Sequence, residues 1–102
     1  MTFYLVLRHH ATPPNADPAR VAEHLAWMRN QHERGTVLIS GPSSDGMTGI
    51  YVMRAVSQPD AHALAATDPL ALTPRTRVEV IDWQVHQILG IGSFDPAALS
   101  GS

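Results

Sequence analysis

His24 and Asp68 lie far apart in the chain, yet they are of the residue types that move protons together. A carboxylate bonded to one imidazole nitrogen holds the ring in one tautomer and leaves the other nitrogen free to take or give a proton near neutral pH. In that arrangement His24 is the general base or acid, and Asp68 orients it and stabilises its cationic form. The plainer alternative is a helix histidine that packs and bonds a carboxylate without turnover. Either reading needs a carboxylate beside the ring, and the catalytic one needs the fold to bring Asp68 there.

His24 rides on a helix with clear ends. Asp17 caps its start and Pro18 gives up only an N–H that would be unpaired anyway, so the helix is expected from there to about Arg34. Val21, His24, Leu25, Met28 and His32 recur at three and four residues, which puts them on one inward stripe. Gly35 supplies the left-handed stop, and Thr36–Ser40 reads as a strand. Ser57-Gln-Pro-Asp60 opens a second helix through about Thr67, with Ala61, Leu64 and Ala65 inward. Asp68 falls seven residues after Ala61, on that inward side, with Asp68-Pro69 ending the helix. Its carboxylate would then sit at the negative end of the helix dipole, which disfavours it.

Thr2–Arg8 is a β-branched and aromatic run, apolar on both faces, followed by a loop from His9 through the double proline. Residues 41–46 form a turn, 47–56 a third strand, and Thr76–Leu89 a long last strand with a bulge near Ile81. The order β-α-β-β-α-β predicts an α+β, ferredoxin-like domain over residues 1–89: a four-stranded antiparallel sheet with both helices on one face. Residues 90–102 read as a tail with only Phe94 and Leu99 to bury. The helix-free face would be apolar, and pairing two such sheets gives a homodimer, a dimeric α+β barrel. The winding gathers Arg8, His9, His10, His24, Ser40, Gly41, Pro42, Asp68, Arg75 and Arg77 at one pole. Beside the His24–Asp68 pair, Arg8, His9, Ser40, Gly41, Pro42 and Arg75 are therefore candidate substrate-binding residues, the arginines suiting an anionic group.

Composition narrows the rest. At 102 residues the chain supports one modest core. The absence of cysteine excludes disulfides and thiolate chemistry and fits a reducing cytoplasm. The net charge of −2, with seven scattered basic residues, argues against nucleic-acid binding. No apolar run approaches the ~20 residues that span a bilayer. His9, His10 and His24 are the only histidines the topology brings together, and neighbouring strand residues point to opposite faces, so no metal is expected.

The segments Glu23–Gly35, Ser40-Gly-Pro42 and Ala65-Ala-Thr-Asp-Pro-Leu70 together resemble the YciI-like (YCII-related) proteins. That resemblance covers roughly Thr2 to Val85. It implies a small dimeric α+β barrel, with His24 and Asp68 as its active-site pair. The reading that follows is a cofactor-independent isomerase or lyase, of which dehydrochlorination is an example, acting on a small cyclic or carbonyl-bearing metabolite. A ligand-binding or accessory module without turnover, and a cofactor-free monooxygenase, are the alternatives on the same barrel.

Overall fold

A computed structural model of the chain describes residues 2–89 and the backbone of residues 92–93. Its elements are β1 (Thr2–His10), α1 (Pro18–Glu33), β2 (Val37–Pro42), β3 (Thr48–Met53), α2 (Gln58–Ala65) and β4 (Thr76–Gln84). A short ribbon follows, made of β5 (Gln87–Ile88) and β6 (Gly92–Ser93). Single 3-10 turns occupy Pro14–Ala16 and Pro69–Leu72. The main sheet is antiparallel in the order β2-β3-β1-β4, which with two helices on one face is the ferredoxin-like arrangement.

Strand alternation sorts the side chains of β1. Tyr4, Val6, Arg8 and His10 point toward the helices, where Tyr4 and Val6 join Met28, Tyr51, Met53 and Ala61 in the core. Leu5, Leu7 and His9 point to the other face, together with Ile39, Ile50, Ile81 and Trp83, all four of which are exposed. Among the described residues no helix is long and apolar enough to cross a membrane.

Several boundaries differ from the sequence reading. The first strand continues through His9 and His10, because both pair with β4. The third strand stops at Met53, where Arg54 turns to bond the Gly35 carbonyl through Nε (2.9 Å) and Nη2 (2.7 Å). Gly35 itself has φ +73°, the left-handed conformation expected of the helix stop. The bulge expected near Ile81 is absent: β4 keeps unbroken register with β1 from Thr76 to Gln84. Val78 and Val80 face the helices while Ile81 and Trp83 face the other way, so a strand apolar on both sides had mimicked a shift of phase. The register shift lies instead in β2, between Val37 and Ile39. The strand expected over Thr76–Leu89 ends at Gln84, with β5 taking up Gln87–Ile88, and the expectation for the 90–102 tail lies outside the described residues except for the backbone of Gly92–Ser93.

The inward stripe of α1 is also rotated. Met28 and Gln31 are buried and His24 and Trp27 half-buried, whereas Leu25 and His32 are exposed. His24, Trp27, Met28 and Gln31 keep the three-and-four spacing, with tryptophan and glutamine where leucine and histidine were expected.

Candidate active site

Asp68 has no accessible surface and accepts three hydrogen bonds. His24 Nδ1–H donates to its Oδ1 at 2.7 Å, Arg8 Nη1 to its Oδ2 at 2.6 Å, and the Leu70 backbone N–H to Oδ1 at 2.9 Å. A buried carboxylate is stable only when paired and bonded in this way. Burial by itself works to raise the Asp68 carboxyl, but the His24 hydrogen bond, the Arg8 charge and the Leu70 N–H outweigh it and hold the group below the usual carboxylate range. Asp68 is therefore an anion in the folded chain.

Local sequence explains how the carboxylate reaches this position. Helix α2 ends at Ala65, two residues short of the expected end, and Asp68 is the cap of the next turn rather than the tail of that helix. Its side chain meets the positive, N–H end of Pro69–Leu72, which removes the dipole conflict anticipated from the sequence.

His24 is held on two sides. Asp68 fixes Nδ1, and the Trp27 ring stacks along the imidazole with centroids 6.5 Å apart and planes 24° apart. Trp27 is itself tied by its Nε1–H to Thr67 Oγ1 (3.0 Å) and packs edge-on against Tyr51. Tyr51 is buried, and burial pushes its hydroxyl pKa up, so it stays neutral. With Nδ1 occupied by the proton shared with Asp68, Nε2 carries the lone pair, and it has no partner among the described residues.

Beside this pair opens a cavity of about 380 Å³, lined by Arg8, His24, Met28, Tyr51 and Leu70 and rimmed by Ser40, Gly41 and Pro42. Arg8 commits Nη1 to Asp68 and Nε to His10 at 2.7 Å, leaving Nη2 without a partner among the described residues. Its guanidinium lies so close over Gly49 that a Cβ there would push it aside, so glycine at that position is what lets Arg8 take this seat.

The eight candidate residues thus divide. His24, Asp68 and Arg8 form one bonded cluster, and Ser40, Gly41 and Pro42 stand at its rim, with Ser40 Oγ bonded to His32 Nε2 at 2.8 Å. His9 lies on the opposite face of the sheet, 3.0 Å from Glu79, and Arg75 is exposed at φ +56°; neither lines the cavity. Sequence reasoning brought His10 to the pole but gave it no role in the site, and it missed Gly49. The signal for His10 was available, because residues two apart on a strand share a face and His10 follows Arg8 by two. The signal for Gly49 was not, since only the cross-strand pairing of Arg8 with Gly49 reveals the contact. The described residues contain no group of three or more histidines, cysteines or carboxylates that could hold a metal ion.

The YCII-related domain family model matches residues 1–84, and the chain belongs to that family. Solved structures similar in fold include two enzymes. One is the 5-chloro-2-hydroxyhydroquinone dehydrochlorinase of Burkholderia phenoliruptrix AC1100 in complex with 2,5-dihydroxybenzoquinone. It is 23% identical, with a TM-score of 0.57 over 83% of this chain and 95% of that one. The other is a muconolactone isomerase, 21% identical, with a TM-score of 0.63 over 93% of this chain and 99% of that one. No curated protein matches the sequence.

Proposed function

We propose that the chain is a small acid/base enzyme of the isomerase or lyase type, with His24 as the proton-transferring residue and Asp68 as its orienting carboxylate. The observation that carries this reading is the 2.7 Å bond between His24 Nδ1 and Asp68 Oδ1 at the wall of a cavity, with the second ring nitrogen unpartnered among the described residues. Nε2 takes a proton from an acidic C–H or O–H of the substrate, and the imidazolium so formed sits against the Asp68 anion. The electrons released move toward a carbonyl or expel a halide. Returning the proton to another atom completes an isomerisation, and losing it to solvent completes an elimination.

The chemistry needs no cofactor. A volume of about 380 Å³ suits a small cyclic molecule, and the walls contributed by Met28, Tyr51 and Leu70 suit an apolar ring. Arg8 in the cavity wall, with Nη2 unpartnered among the described residues, supports an oxyanion or carboxylate on the substrate. The dehydrochlorinase and the isomerase of similar fold support a cyclic, oxygen-bearing substrate. The exposed Ile39, Ile50, Ile81 and Trp83 support a homodimer paired through the helix-free face, and the lack of cysteine supports a cytoplasmic setting.

Chlorinated hydroxyhydroquinones and unsaturated lactones are the compounds to assay first, by chloride release and by ultraviolet absorbance. His24→Ala is expected to lower turnover by roughly 10²- to 10⁴-fold, the usual worth of a general base. Ligand binding without turnover by the wild-type chain would make it a binding module instead.

A further inference from the structure

His10 carries no role in the proton transfer described above, yet it is 8% exposed and bonded on both ring nitrogens. The direction of each bond follows from chemistry. An arginine Nε–H only donates, so at 2.7 Å His10 Nε2 must be the acceptor, and the proton of the neutral ring lies on Nδ1. Nδ1–H then donates to Thr76 Oγ1 at 3.1 Å. Thr73 Oγ1–H donates to the Leu70 carbonyl at 2.7 Å, so Thr76 donates across the 2.7 Å contact between the two threonine hydroxyls, in preference to the Pro74 carbonyl at 3.5 Å. The Leu70 N–H donates to Asp68, and Asp68 accepts from Arg8. The path is closed: Arg8, His10, Thr76, Thr73, Leu70, Asp68 and back to Arg8.

We propose that His10 is a positioning residue, whose neutral Nδ1–H tautomer alone closes this ring of hydrogen bonds and thereby clamps the Arg8 guanidinium between Asp68 and the cavity. A protonated His10 presents N–H to N–H against Arg8 Nε, and the ring opens at that link. Arg8 is then held by Asp68 alone through Nη1, without the second bond that fixes its guanidinium over Gly49. The groups acting on His10 from its surroundings are Arg8 and His9 on β1, His24 on α1 and Asp68 at the turn that follows α2. Burial, and then the Arg8 charge, lower the proton affinity of His10 below the ordinary value of 6.5, outweighing the opposing pull of Asp68. The clamp is thus closed at neutral pH and opens on the acid side. Its catalytic weight rests on the His24–Asp68 reading, but its geometry does not.

The test is nitrogen-15 NMR of the full wild-type chain. The His10 ring is expected as the Nδ1–H tautomer, with a slowly exchanging Arg8 Nε–H signal that disappears as His10 is protonated. His10→Phe removes the acceptor and should abolish that protected signal at every pH with far-ultraviolet circular dichroism unchanged; His10→Gln, whose amide oxygen can accept, should restore it in part. An Nε2–H tautomer at His10, or an Arg8 Nε–H signal indifferent to His10 protonation, would overturn the proposal even if the phenylalanine variant failed to fold. Neither measurement reads turnover, so this proposal and the His24–Asp68 mechanism fail separately.

Discussion

Asp17 and Asp68 are both followed by proline, and both open a helical turn by accepting a backbone N–H, from Arg20 at 3.2 Å and from Leu70 at 2.9 Å. The local device is the same and the surroundings are opposite. Asp17 stands in solvent with that one bond to its side chain, while Asp68 is fully buried and also binds Arg8 and His24. A cap at the surface stabilises one helix. A cap carried into the interior becomes a charge that other elements must be built to satisfy, and α1 and β1 supply the two cationic or donating partners.

Removing each cap is the most direct way to break this comparison. Asp68→Ala strands Arg8 in the interior and is expected to cost roughly 3–5 kcal/mol in urea unfolding, the range for halving a buried ion pair. A loss below 1 kcal/mol would mean that the cluster is not structurally coupled. Gly49→Ala comes next. The new Cβ displaces the Arg8 guanidinium from its seat, and a cost of about 1–3 kcal/mol is expected, together with loss of the Arg8 Nε–H signal. Asp17→Ala should cost only ~0.5–2 kcal/mol, through the helix start alone, and should leave that signal in place.

Acid sharpens the contrast further. The folded state lowers the proton affinity of His10, so the unfolded chain takes up protons first; this contribution to stability is complete above 6.5 and is lost as the pH falls below it. Asp68, also lowered, contributes fully above 3.8 and loses its contribution as the pH falls through its folded value. Urea midpoints should therefore fall in two stages on acidification. Asp17→Ala should show both stages, and His10→Phe should lack the first.

Much of this was legible in the residues, and the failures have physical reasons. Helix and strand identities, the Gly35 stop and the meeting of His24 with Asp68 follow from capping chemistry, periodicity and winding. Asp68-Pro69 was read as an ending when the identical pair at Asp17-Pro18 was read as a start, although both are N-terminal caps. The rotation of the α1 stripe toward Trp27 and Gln31 was hidden because apolar leucine was preferred for the inward side, while Trp27 gains a stacking partner in His24 and donates a hydrogen bond to Thr67. Burial of Arg8 was not legible at all, since it depends on a glycine across the sheet and a histidine two residues on. His9 was assigned to the pole by its position along the strand; which face it occupies depends on alternation, and that sends it away.

The central claim is that Nε2 of His24 exchanges protons with a bound molecule. Deuterium uptake from D₂O into a small cyclic carbonyl compound, followed by proton NMR, tests it most directly when the wild-type chain is run beside His24→Ala, Asp68→Asn and Asp17→Asn. The account predicts exchange that His24→Ala abolishes, Asp68→Asn severely slows and Asp17→Asn leaves intact. Wild-type exchange that persists undiminished in folded His24→Ala would contradict it.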